Sequence, residues 1–222
     1  MTCYVGLNLL SVILPFIFSF HPRIYFTKQW RFVFPAIGIT AFVYLSWDIL
    51  VTAHGHWSFN PTYAGDAVFL GLPLGEVLFF FCIPYACLFV YHLFRMFFRE
   101  RILPIPLFVF WVLAGAFLLA GFLNLNRGYT LLAFFSCAAF LVFTLKLKPA
   151  LLQSSHTWEY FLFSFVAFLI VNGILTGLPV VLYNPKAILG YRVITIPVED
   201  FFYNFSFLGF NLLLYRLIAK DR

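Results

Sequence analysis

The chain has 222 residues, of which 64% are hydrophobic and only 10% charged. A soluble domain of this length could not hide so much apolar surface, so the composition excludes one and marks a polytopic membrane protein. The formal charge of +6 would suit nucleic acid, but its placement between apolar runs makes it a topology signal, and the expected partner is the lipid bilayer, with no nucleic acid.

A spanning helix needs about 20 mainly apolar residues. Seven such stretches are predicted in chain order: Tyr4–Phe20, Phe32–Leu50, Val77–Phe98, Ile105–Leu123, Tyr129–Leu145, Tyr160–Leu178 and Val198–Leu217. The first lacks a basic leader and a small-residue cleavage site, and is read as a retained helix rather than a signal peptide. Seven spans place Arg23, Lys28, Arg31, Arg95, Arg99, Arg101, Lys146, Lys148, Arg216, Lys220 and Arg222 on one side and only Arg127, Lys186 and Arg192 on the other. Basic residues favour the cytoplasmic side, so the N-terminus is expected outside and the C-terminus in the cytoplasm, in a membrane of prokaryotic type. Cys3, Cys82, Cys87 and Cys137 form no C-x-x-C pair and read as inert, mostly buried thiols.

The chain also repeats itself, without a gap, at an offset of 124 residues. Asp48 falls on Asn172, Thr52 on Thr176, Asn60-Pro61 on Asn184-Pro185, Pro73 on Pro197, Glu76 on Asp200 and Tyr91 on Tyr215. The expected fold class is therefore an all-α membrane protein whose seven transmembrane helices form two parallel three-helix repeats, residues 1–100 and 125–222, joined by a connecting helix over 101–124. Corresponding helices lie four spans apart and cross in the same direction. The halves should relate by a pseudo-twofold axis along the membrane normal, with a shared pocket between them.

Each repeat enters its last helix through proline, which suits a first helical turn: Pro73-Leu74-Gly75-Glu76 in one copy, Pro197-Val198-Glu199-Asp200 in the other. Acids there could simply complement the helix dipole, but recurrence at corresponding positions points to a paired site, because carboxyls are costly near lipid. Helical spacing puts Phe79 and Phe80 on the face of Glu76, Tyr203 and Asn204 on that of Asp200, and Phe202 and Tyr203 on that of Glu199. An acid in such surroundings is expected to hold its proton and so be able to give it to an alkene, with aromatic faces stabilising the cation formed. Asp48, late in the second span, is a further candidate for the proton relay. Asn60-Pro61 and Asn184-Pro185 read as turns, and Trp57-Ser58-Phe59 as a candidate pocket lid. His54 and His56 form a lone H-x-H with no second ligand cluster, and no metal is expected.

At these motifs the chain resembles the membrane-integral lycopene cyclases of the heterodimeric type, here as a single fused chain. The matching residues are Trp47-Asp48, Gly55-His56-Trp57-Ser58-Phe59-Asn60-Pro61, Leu72-Pro73-Leu74-Gly75-Glu76 with Phe79-Phe80, and Pro197-Val198-Glu199-Asp200-Phe201-Phe202 with Asn204. The resemblance covers nearly the whole chain. It implies a non-redox cyclase, with no cofactor, that closes ionone rings on lycopene or a related acyclic carotenoid; a homo-oligomer is compatible with it. Glu76, Glu199 and Asp200 are then the expected acid/base set, with Asp48 as relay. Phe79, Phe80, Phe202, Tyr203, Asn204, Trp57 and Asn60 are the expected substrate contacts. The family pattern P-[L/I]-E-E has a carboxylate where this chain has Gly75, which is either a natural variant relying on the remaining acids or a substitution that disables one; impaired activity is expected. Two other readings stay open, a non-catalytic carotenoid-binding membrane protein and a proton-coupled transporter. A retinal protein is disfavoured, because the seventh span has no lysine before Lys220.

Overall fold

The computed structural model describes residues 2–220; Arg222, one of the basic residues placed on the cytoplasmic side above, lies outside them. In chain order the elements are α1 (Cys3–Phe18), a 3-10 turn (Phe26–Gln29), α2 (Trp30–Ala53), β1 (Trp57–Phe59), the short α3 (Pro61–Ala64), β2 (Val68–Phe69), β3 (Leu72–Pro73), α4 (Leu74–Phe97), α5 (Leu107–Phe122) and α6 (Gly128–Leu147). The short α7 (Ala150–Gln153), α8 (Ser155–Gly177), β4 (Val181–Tyr183), β5 (Arg192–Val193), β6 (Ile196–Pro197) and α9 (Val198–Ile218) follow.

Each of the seven predicted apolar stretches is a helix. α2, α4, α6, α8 and α9 are long and apolar enough to cross a membrane, whereas α1 and α5 have 16 residues each, about 24 Å at 1.5 Å per residue. α1 closes early because Ser19 caps it: the Ser19 hydroxyl donates to the Pro15 carbonyl at 2.6 Å and also pairs with the Tyr85 hydroxyl. α5 starts late because Pro104 and Pro106 hold the chain before it extended. α4 begins at Leu74 rather than Val77, which brings Gly75 and Glu76 inside its first turn.

Helices pack both within and between the halves. α1 lies on α4 as α6 lies on α9, while α2 packs against α9 and α8 against α4. α4 and α9 also touch, and residues that correspond at offset 124 meet there: the rings of Tyr91 and Tyr215, both buried, stand edge-on at 6.2 Å. At the opposite end of the bundle, β1 and β4 pair antiparallel with Trp57 opposite Tyr183, Ser58 opposite Leu182 and Phe59 opposite Val181. Ser58 and Leu182 are themselves 124 apart, so the two copies of one strand pair with each other about their own centre. The flanking bonds are reciprocal: Asn60 N–H donates to the Val180 carbonyl at 2.9 Å and Asn184 N–H to the His56 carbonyl at 2.8 Å.

The hairpins before α4 and α9 also match. β2 pairs with β3 and β5 with β6 in the same register, and the Leu74 N–H reaches the Ala67 carbonyl as the Val198 N–H reaches that of Tyr191. Both hairpins turn through a non-glycine residue in the left-handed region, Leu70 at φ 51° and Ile194 at φ 60°. The Asn-Pro pairs form the expected turns. The Asn60 carboxamide oxygen accepts from the Thr62 N–H at 3.1 Å, and that of Asn184 accepts from the Lys186 N–H at 3.0 Å.

Candidate active site

Three carboxyls from three helices converge beneath the β1–β4 pair. Asp48 comes from the last turns of α2, Glu76 from the first turn of α4 and Asp200 from the first turn of α9. All three line one cavity of about 60 Å³, with Trp57, Tyr183, Val181 and Phe59 of the strand pair among its walls. Asp48 and Asp200 are 1% and 4% exposed. The Asp48 and Glu76 carboxyls lie within interaction range of each other, and Glu76 within range of Asp200. Proline at the entry of α4 and α9 explains the placement: it starts each helix beneath the lid and leaves the acid in the first turn, where the unpaired backbone N–H groups favour negative charge.

The hydrogen bonds to the three acids differ. Asp200 accepts three: from the Tyr129 hydroxyl at 2.6 Å, the Tyr183 hydroxyl at 2.7 Å and the Asn172 amide at 2.7 Å. Glu76 accepts the Tyr4 hydroxyl at 2.5 Å. Asp48 accepts the Trp57 indole N–H at 3.0 Å through Oδ1, and its buried Oδ2 has no hydrogen-bond partner among the described residues. Tyr183 lies outside the spanning helices; burial, with the neighbouring Asp200, raises its phenol well above the usual 10, so it serves as a neutral donor.

Aromatic faces complete the walls. Phe79, Phe168, Tyr203 and Phe207 line the cavity with Trp57 and Tyr129. The Trp47 ring lies edge-on to Tyr203 at 5.2 Å, Tyr44 stands against Tyr203 at 5.3 Å, and Trp57 packs on Tyr129 at 4.9 Å. Asn204, 4% exposed, also lines the cavity, with an amide nitrogen that no described residue accepts.

Of the residues picked out in the sequence, Asp48, Glu76, Asp200, Phe79, Tyr203, Asn204 and Trp57 are brought together here. Glu199 is not. It is wholly buried and turned toward α6, where its Oε1 accepts the Thr130 hydroxyl at 2.7 Å and the Leu189 N–H at 2.6 Å. Gly75, its counterpart, lies under Tyr4: a Cβ on Gly75 would stand 2.5 Å from Tyr4 Cγ. Phe80 is buried against Phe79 and Phe207 behind the wall. Phe202 packs outward on Phe117 and Phe134, and the Asn60 side chain is taken up by its turn. Tyr4, Tyr129 and Tyr183 went unnoticed in the sequence. Asn172 was visible only as the repeat mate of Asp48.

The bundle, with five helices among the described residues long and apolar enough to cross a membrane, is that of an integral membrane protein, and carboxyls from separate helices are held within it by phenols and an indole among aromatic faces. The family model described as lycopene cyclase matches residues 1–94 and 126–218, and the chain belongs to the lycopene cyclase family. The stretch left out between these segments holds α5. Comparison with curated proteins and with solved structures finds no match.

Proposed function

We propose that this protein is a lycopene β-cyclase that closes ionone rings by proton transfer within the membrane. The observation that carries this reading is the meeting of Asp48, Glu76 and Asp200 in one lidded, aromatic-walled cavity. Two of these acids are repeat mates, and all three come from different helices. A carboxylic acid delivers a proton to C2 of the terminal C1=C2 double bond, leaving a tertiary cation at C1. The C5=C6 π-electrons attack C1, closing a six-membered ring and moving the cation to C5. A carboxylate then removes the proton from C6, which places the double bond in the β position. One proton enters and one leaves, no electrons are exchanged, and the product is an isomer of the substrate.

The hydrogen bonds suggest how the acids divide the work. Asp200, with three donors, has the surroundings of a carboxylate and is assigned as the base. Asp48 has one donor and an oxygen free to carry hydrogen, so the Asp48–Glu76 pair is assigned as the acid. Phe79, Tyr203, Phe207 and Trp57 offer π-faces to the cation. Glu199 braces the entry of α9 from behind.

Gly75 is read as native. Its counterpart points away from the cavity, and the one side-chain donor to Glu199 among the described residues is also missing from the first copy, since Gly6 stands where the second has Thr130. Tyr4 fills that space and sends its hydroxyl to Glu76.

The architecture proposed for the membrane has all seven helices crossing, residues 1–100 and 125–222 as parallel repeats, 101–124 as connector, the N-terminus outside and the C-terminus cytoplasmic. The carboxyls then lie toward the outer face, under the strand pair. Expression in a lycopene-accumulating host, with pigments separated by chromatography, tests the activity. Conversion to β-carotene is expected; lycopene recovered unchanged from cells that contain the folded protein overturns the reading.

A further inference from the structure

Two large apolar grooves run along the outside of the bundle, and they are repeat mates. One, of about 430 Å³, lies between α1, α4 and α8; the other, of about 570 Å³, lies between α2, α6 and α9. Phe163, Ser164, Ala167 and Phe168 in the first correspond at offset 124 to Ile39, Thr40, Val43 and Tyr44 in the second. Both volumes suit a ligand-sized apolar molecule.

Their inner ends differ. The first groove shares Phe79, Phe168, Asn172 and Asn204 with the walls of the carboxyl cavity, so the two spaces adjoin. The second shares no wall residue with it among those described. There the way is blocked by three rings in mutual contact: Tyr44 stacked on Trp47 at 5.4 Å, and Tyr203 edge-on to both, at 5.2 Å from Trp47 and 5.3 Å from Tyr44. The Tyr44 hydroxyl is pinned to that of Ser136 at 2.7 Å. Where the second groove has Trp47, the first has Val171, and where it has Tyr44, the first has Phe168, which borders both groove and cavity and packs edge-on against Phe201 at 5.0 Å. One indole exchanged for an isopropyl group leaves one door open and the other shut.

We propose that an acyclic polyene reaches the carboxyls only through the α1–α4–α8 groove, and that the matching groove on the other side is closed to it. The proposal rests on the cyclase reading for the identity of the polyene. The occupant follows from position: the carboxyls sit at the ends of α2, α4 and α9, where a phospholipid would hold its headgroup. A hydrocarbon without a headgroup can lie along the groove and present a terminal alkene to the acids. Only one end of the chain is then in the cavity at a time.

Three tryptophan substitutions test this. V171W and A167W fill the first groove, and A139W fills the second, whose wall Ala139 helps to form. Two quantities are read: cyclised pigment in a lycopene-accumulating host, and retention of lycopene by the purified protein in detergent, followed by absorbance. V171W and A167W are each expected to lower both at least tenfold, with A139W within twofold of the parent. A167W covers the case in which V171W fails to fold. Loss in A139W, or retention of both properties in a folded A167W, overturns the proposal. If the parent retains lycopene without cyclising it, the cyclase reading fails, while the pattern of retention across the variants still decides the groove.

Discussion

The ring of Tyr4 rests on the α-carbon of Gly75 while its hydroxyl holds Glu76, so these positions act as a unit. Replacing Gly75 by Glu adds a carboxyl but drives a Cβ into the ring. The expected outcome is a loss of about 1–3 kcal/mol from overpacking, read as a lower melting temperature in detergent, with no gain in cyclised pigment. Removing an acid from the cavity should act on the chemistry: Asp48→Asn, Glu76→Gln and Asp200→Asn are each expected to slow cyclisation about 10²–10⁴-fold, with melting temperature measured alongside. Glu199→Ala should instead lower stability more than rate, because it removes the buried oxygen that accepts from Thr130 and Leu189 and touches no cavity wall. The acids were legible in the sequence because a carboxyl in an apolar run demands an explanation. Their partners were not. Tyr4, Tyr129 and Tyr183 are three among 12 tyrosines and 33 phenylalanines, and only the packing shows which hydroxyls point at carboxyls. Periodicity put Glu199 and Asp200 in one turn of α9, yet the two side chains leave the helix in different directions, and only one enters the cavity.

Helices, strands and turns followed the sequence unequally. The apolar runs announce the helices, and proline marks the start of α4, α5 and α9. The β1–β4 pair had no strand signature of its own, being three residues on each side; it is a product of the halves meeting, visible beforehand only as a motif suited to a lid. That lid carries its own acid sensitivity. His56 follows α2, outside the spanning segment, and burial together with nearby His54 lowers its imidazole below the ordinary 6.5. A base with a depressed folded value lends stability above the unfolded value and loses it as pH falls toward the folded one. The protection factor of the Asn184 amide, which donates to the His56 carbonyl, should therefore fall below about pH 6.5 once the slower intrinsic exchange in acid is divided out, and His56→Gln should flatten that dependence. The hairpin before α9 offers a test of backbone strain. Ile194 holds φ 60° while 87% exposed, a conformation that costs a β-branched residue about 1–2 kcal/mol. Ile194→Asn should raise the melting temperature and leave cyclisation unchanged.

At the scale of the whole molecule, crosswise packing makes each half incomplete alone, since α8 covers α4 and α2 covers α9. Polypeptides 1–103 and 104–222 produced together should assemble and cyclise lycopene, whereas neither should do so alone; co-purification of the two pieces checks this. With one groove open, a long substrate must leave and turn round before its second end can react, so a time course should show free monocyclic carotenoid rising before the bicyclic product. The repeat was readable at whole-chain scale because paired motifs lie a constant 124 residues apart. What breaks its equivalence, Trp47 against Val171 and Tyr4 against Gly128, carries no signal in the sequence, because its effect lies in how the rings pack. The register in which Ser58 faces Leu182 carries a consequence for descent. A strand that pairs with its own duplicate about a central residue needs no second kind of strand, so a gene encoding three helices could once have built this enclosure from two identical chains. An engineered homodimer of either half, with residues 58 and 182 made the same, is the ancestor that this register permits one to build.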